Sequence, residues 1–279
     1  MSSKKKPLLP PPTLPCTGVD SHAHLNFPAF QEDFDGVMAR AAKAGVKEMG
    51  QVFLSPQAFQ EGRHLFAPYP HVFFLLGIHP TDAHEYTLDV VDEIEQCLSE
   101  EKRIRAIGEI GLDYHWKDCP PETQKLFFSR QLELAKKCAM PVVIHCREAE
   151  EDTMRLLREH DMVGRPLLWH CFGGSWQFAK EIIDAGWHIS IPGTVTFPKN
   201  DILREAVATI PSDRLLVETD CPFLAPVPMR GKQNEPSLLG YTIDMMADSR
   251  GVAVEELWTT CGDNARRFFG FPFTDNEGR

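Results

Sequence analysis

The chain has 279 residues, 43% hydrophobic and 25% charged, enough for a large core and within the usual size of one α/β barrel. Its formal net charge of -11 argues against sequence-independent binding along a DNA duplex, though it leaves room for a small basic or metal-charged pocket. No run of about eighteen apolar residues is present to cross a membrane.

The N-terminal residues 1–15 carry Lys4 to Lys6 and then a Pro-rich tract, without the apolar segment of a signal peptide. They read as a disordered extension, which leaves 16–279 as a single domain. From residue 17 short apolar runs alternate with longer amphipathic ones. Strands are predicted over residues 18–22, 48–54, 72–78, 104–109, 142–145, 167–171, 187–191 and 215–218. Helices are predicted over 30–44, closed by Gly45, and over 122–140 and 153–160. Another over 176–185 is opened by Ser175 and closed by Gly186, and two more over 238–249 and 254–269 finish the chain. Strands alternating with helices imply parallel βαβ units, and about eight of them suggest a (β/α)8 barrel, with a doubly wound open sheet as the alternative. No Gly-x-Gly-x-x-Gly nucleotide loop follows a strand. Eight cysteines (Cys16, Cys97, Cys119, Cys138, Cys146, Cys171, Cys221 and Cys261) form no Cys-x-x-Cys pair, so a reducing, cytoplasmic setting without a zinc finger is expected.

Active sites of such barrels lie at the C-terminal ends of the strands. Six ligand-type residues fall there. His22 and His24 follow the first strand, two residues apart and so on one face. Glu109 ends the fourth, His145 follows the fifth, His170 lies near the end of the sixth, and Asp220 stands just past the eighth. A lone His145 or His170 would ordinarily be a core histidine. Glu109, Glu218 and Asp220 are harder to dismiss, because carboxylates in apolar runs are almost never buried without a partner. Four imidazoles and two carboxylates suffice for two divalent ions, with zinc, manganese or magnesium as the candidates. Two ions about 3.5–4 Å apart can share a hydroxide and polarise a phosphoryl or carbonyl oxygen. In this reading His22, His24, Glu109 and Asp220 hold one ion. Glu109 bridges to a second held with His145 and His170. Asp220 also acts as general base, and Glu218 orients a ligand or the water.

These segments resemble the TatD family, metal-dependent deoxyribonucleases of the amidohydrolase-type barrel superfamily. The resemblance is carried by Asp20-Ser21-His22-Ala23-His24-Leu25, Gly77-Ile78-His79-Pro80 and Gly108-Glu109-Ile110-Gly111-Leu112-Asp113-Tyr114. It continues through Pro141-Val142-Val143-Ile144-His145-Cys146-Arg147, His170-Cys171-Phe172-Gly173-Gly174 and Glu218-Thr219-Asp220-Cys221-Pro222-Phe223-Leu224, and ends in Arg230-Gly231-Lys232-Gln233-Asn234-Glu235-Pro236. It implies the same six ligands and hydrolysis of DNA phosphodiesters, often from a 3′ end, with single strands or DNA ends as partners and no obligate protein partner. Cys146 and Cys221 stand where the family pattern often has a small polar residue, and either thiol could make the enzyme sensitive to oxidation.

A phosphodiester needs cations or donors near its non-bridging oxygens. Arg147, Arg230, Lys232, Asn234 and His79 are the expected substrate-binding groups, and Tyr114, His115, Trp116 and Phe172 are candidates to stack on unpaired bases. Two other readings stay open at this point. The same metals could serve an amidase, lactonase or deacylase on a small acyl substrate, or the barrel could be a non-catalytic scaffold.

Overall fold

The structure is a computed structural model that describes residues 10–271. Eight parallel strands pair in chain order. They are β1 (Gly18–Ala23), β2 (Val46–Phe53), β3 (Val72–Leu76), β4 (Ile104–Asp113), β5 (Val142–Arg147), β6 (Leu167–Trp169), β7 (His188–Ile191) and β8 (Leu215–Val217). The ring closes where Ala23 bridges Cys221 in parallel, helped by bonds from the His24 amide to the Cys221 carbonyl (2.8 Å) and from the Asp220 amide to the His22 carbonyl (2.9 Å). This is a (β/α)8 barrel, and the open-sheet alternative falls.

The helices are α1 (Phe34–Lys43), α2 (Pro56–Gly62), α3 (Val90–Glu100), α4 (Pro121–Cys138), α5 (Glu150–Glu159), α6 (Trp176–Asp184), α7 (Asp201–Thr209), α8 (Leu239–Arg250) and α9 (Val254–Phe269). Helices α2, α3 and α7 are additional to those predicted from the sequence. Their signals are local: Ser55 caps α2 by accepting from the Ala58 amide, with Pro56 in the first turn. In α3, Val90, Val91, Ile94 and Cys97 form a short apolar face. The predicted ends of α6 hold: the Ser175 side chain accepts from the Phe178 amide, and Gly186 leaves the helix at a φ of +86°.

Burial on both faces explains the continuous apolar runs of the strands. In β3, Phe73 and Leu75 point into the barrel with Val19, Val52, Ala106, Val143, Leu168 and Leu216, over Phe268 and Phe269 of α9. Phe74 and Leu76 point outward into the layer between strands and helices. The expected extension lies outside the described residues for 1–9. Residues 10–15 are ordered against the domain: Leu14 is buried in the outer layer, and the Trp258 indole donates to the Pro15 carbonyl (2.8 Å).

Two interruptions of register set up the mouth. Along β1 the pairing steps from Asp20 opposite Met49 to Ala23 opposite Gln51, and along β4 from Ile107 opposite Val142 to Ile110 opposite Ile144. Each inserts one extra residue, a bulge that re-aims the side chains beside it. His22 sits in the first and Glu109 in the second. Gly111 is required next to the second, since its φ is +146° and a Cβ there would lie 2.0 Å from the His145 carbonyl oxygen.

Candidate active site

Glu109 is the hub. Its Oε2 lies 3.2 Å from His22 Nε2 and 3.8 Å from His24 Nε2. Its Oε1 lies 2.5 Å from His145 Nδ1, 3.0 Å from His170 Nε2 and 3.5 Å from His79 Nε2. Asp220 Oδ1 approaches the first pair, 3.4 Å from His24 Nε2 and 3.9 Å from His22 Nε2. The rings of His22 and His170 stack at 3.8 Å. The other five sequence-predicted ligands therefore gather around Glu109, four imidazoles against its carboxylate and Asp220 against two of those imidazoles.

The donors fit a metal. Among the described residues, His22 Nδ1 and His24 Nδ1 are buried with no hydrogen-bond partner, and His22 Nε2 and His170 Nδ1 have only a carboxylate oxygen near them, of Glu109 and Glu218, each at 3.2 Å and without a hydrogen bond. Buried ring nitrogens rarely stay unpaired unless something else binds them. Compact ligand groups are formed by His22, His24 and Glu109, by His22, His170 and Glu218, and by His79, Glu109 and His145. Burial alone would raise the pKa of Glu109, but the imidazoles of His170, His22 and His79 and the bond to His145 outweigh it and hold Glu109 well below the usual range. For Asp220 burial is likewise outweighed, by His24, His170 and His22, and its pKa is lowered. Burial, and then the neighbouring His170, lowers the pKa of His22, which keeps it neutral, the form that binds metals. His24, Glu109, His145, His170 and Asp220 open onto a cavity of about 870 Å³ at the barrel mouth.

A model of the TatD related DNase family matches residues 19–270. The chain belongs to the TatD family. It is 37% identical over 250 residues to the uncharacterized metal-dependent hydrolase YabD of Bacillus subtilis, covering 90% of this chain and 98% of that one. It is 34% identical over 256 residues to the 3'-5' ssDNA/RNA exonuclease TatD of Klebsiella pneumoniae, covering 90% and 97%. The crystal structure of YJJV, a TatD homologue from Escherichia coli K12, superposes with a TM-score of 0.86 at 28% identity, covering 92% of this chain and 99% of that one.

Around the ligands of this TatD chain a ring of buried carboxylates fixes geometry. Glu218 Oε1 is 3.2 Å from His170 Nδ1 and accepts from the Cys171 amide, while its Oε2 accepts from Ser190. Asp113, which the sequence reading passed over, lies 2.9 Å from His145 Nε2 and accepts from the amides of His115 and Trp116. It thereby ties His145 and the β4 loop together. Asp20, also passed over, accepts from the Thr219 amide and hydroxyl and anchors the Asp220 loop to β1. Burial pushes Asp20 up to about 7 in spite of those bonds. Asp113 closes an apolar run and so carries the signal that marked Glu109, whereas Asp20, between Val19 and Ser21, does not.

The expected substrate groups separate. His79 and Arg147 line the cavity. Arg230 lies outside the lining, with its guanidinium 4.4 Å from the centre of the Phe197 ring, which does line it. Lys232 is exposed and does not line the cavity. Asn234 is not brought to the cavity. It is fully buried, and its amide donates to the Thr219 and Phe223 carbonyls, holding the Asp220 loop. Of the stacking candidates, Phe172 is 1% exposed and cannot meet a base, and the Tyr114 hydroxyl is held by Asp152 at 2.6 Å. His115 is held by Glu148, and only Trp116 lines the cavity. The expected oxidation sensitivity of Cys146 and Cys221 is not supported, because the thiolate is the reactive form. Burial pushes Cys146 up to about 12 and Cys221 well above the ordinary thiol value.

Proposed function

We propose that this TatD-family hydrolase cleaves phosphodiester bonds of unpaired DNA from a 3′ end. The observation that carries the metal-dependent hydrolysis is the division of Glu109, with Oε2 turned to His22 and His24 and Oε1 to His145 and His170. His22, His24 and Asp220 would hold one divalent ion on the first side, and His145 and His170 a second on the other. Zinc, manganese and magnesium are the candidate metals. When bound, the ions supply Lewis acidity to water and to the phosphoryl oxygens.

The chain supplies the rest. Asp220, ionised at neutral pH, accepts the proton of the attacking water, and the leaving sugar oxygen on the opposite side of phosphorus takes its proton from solvent at the open mouth as the P–O bond breaks. Arg147 and His79, in the cavity wall, donate to the non-bridging oxygens. Glu218 stands behind His170, 3.2 Å from its Nδ1, and Asp113 holds His145 by a hydrogen bond. The name of the Klebsiella relative supports single strands and 3′ ends as the substrate.

The test compares bis(p-nitrophenyl) phosphate with a panel of carboxylic esters and lactones, with and without chelator, and then end-labelled single- and double-stranded oligonucleotides. The expected result is chelator-sensitive phosphodiester turnover and stepwise shortening of single strands from the 3′ end. Ester or lactone turnover without phosphodiester turnover would overturn the reading in favour of an acyl hydrolase.

A further inference from the structure

Only two Phe, Tyr or Trp side chains are exposed among the described residues, Trp116 at 53% and Phe223 at 51%, and both line this one cavity. Exposed aromatic surface is costly to keep in contact with water, and where it gathers it marks a binding site. Trp116 follows β4 and Phe223 follows β8, four strands apart in a ring of eight, so they stand on opposite rims with the metal ligands between them.

The two rims differ in chemistry. On the β8–β1 side Phe223 meets Phe27 edge to face at 5.9 Å, and Phe27 in turn packs 5.0 Å from the ring of His24. That wall is apolar and runs directly down to a ligand. On the β4–β5 side the Arg147 guanidinium lies 5.8 Å from the centre of the Trp116 ring. Among the described residues no carboxylate pairs with Arg147, whereas Arg40, Arg155 and Arg266 are all paired. That wall therefore offers a π-face and a free cation together, a combination suited to a base and its adjoining phosphate.

We propose that the cavity takes the two nucleotides flanking the scissile phosphate in a splayed form, one base on Phe223 and Phe27, the other on Trp116 and Arg147. This rests on the phosphodiesterase reading and deepens it. Bases in a duplex stack on each other and are paired, so they cannot reach opposite rims. An unpaired strand exchanges base–base stacking for base–ring stacking on each side. Restriction to single strands or frayed ends is then a property of the two platforms rather than of the metal ligands.

The test uses a thymidine tetramer with cleavage-resistant phosphorothioate linkages as a competitor of bis(p-nitrophenyl) phosphate turnover. Further tetramers carry one abasic residue at each position in turn. In the parent protein, loss of the base at two neighbouring positions raises the inhibition constant about tenfold each, the size of one stacking contact. Phe223→Ala and Trp116→Ala each weaken the intact tetramer by a similar factor and erase the abasic penalty at one position, a different one for each variant. A variant that keeps both penalties overturns its platform, as does a parent with no sensitive position. Independently, the tetramer quenches indole fluorescence of chelator-treated protein, and the quench disappears in Trp116→Phe. A quench that survives that substitution, or none in the parent, overturns the Trp116 platform. Absence of phosphodiester turnover in the metal-loaded parent is a separate failure, of the phosphodiesterase reading, and leaves the fluorescence measurement to decide the platforms.

Discussion

The two ends of the barrel handle buried polar groups in opposite ways. At the closed end the Arg266 guanidinium, nearly fully buried, bonds Glu48 (2.7 Å), Asp263 and the Thr17 carbonyl. Nearby, Asn264 donates to the Ser212 and Leu215 carbonyls. At the open end, among the described residues, three histidines keep buried ring nitrogens without hydrogen bonds, and five imidazoles crowd one carboxylate. Paired polar groups hold a fold together, whereas unpaired ones are tolerated where a ligand completes them. The closed end thus secures stability, and the mouth gives some up for function.

Substitutions can break this division. The largest effect is expected from Asp220→Asn, which should lower phosphodiester turnover by about a thousandfold or more. Its melting temperature should stay close to that of the parent, and steady-state kinetics with thermal unfolding check both. Turnover at the parent level would show that Asp220 is not the base. The mirror image is Arg266→Ala, which leaves Glu48 half-buried and unpaired. It should cost about 3 kcal/mol in denaturant unfolding with metal content unchanged. Lost metal in that variant would show that the two ends are not independent.

A smaller effect is expected from Asp113→Asn, which keeps the side-chain volume but weakens the partner of His145. Metal affinity should fall about 10–100-fold by titration while the fold persists. An unchanged affinity would assign Asp113 to the β4 loop alone. The smallest effect concerns an exception at the closed end, His188, whose Nδ1 has no partner. Burial, with Arg214 second, lowers its pKa from 6.5 to about 4. Between those values the unfolded chain binds a proton that the folded chain does not. Stability is therefore full above about pH 6.5 and falls as the pH drops toward 4, by no more than about 3 kcal/mol. His188→Phe should flatten that part of the pH–stability curve, and an unaltered slope would assign the acid sensitivity to other groups.

How much of this was legible in the sequence follows the same physics. Glu109 and Asp220 stood out because a carboxylate in an apolar run must have a reason to be there. The barrel was legible because βαβ alternation survives even with α2, α3 and α7 left out. Burial of a particular side chain was not legible. Phe172 and Asn234 sit in family-like segments beside the ligands, yet one packs inward and the other spends its amide on loop carbonyls. The role of Asp113 needed the distance to His145, and that of Phe223 needed its exposure opposite Trp116, neither of which spacing along the chain encodes.

The central claim is that Glu109 serves two metal positions at once. Metal content measured after zinc loading and gel filtration tests it directly, comparing the parent with His145→Ala and Glu109→Ala. The account predicts two tightly held ions per chain in the parent, one in His145→Ala, and loss of tight binding at both positions in Glu109→Ala. A Glu109→Ala protein that retains both ions at parental affinity would contradict it.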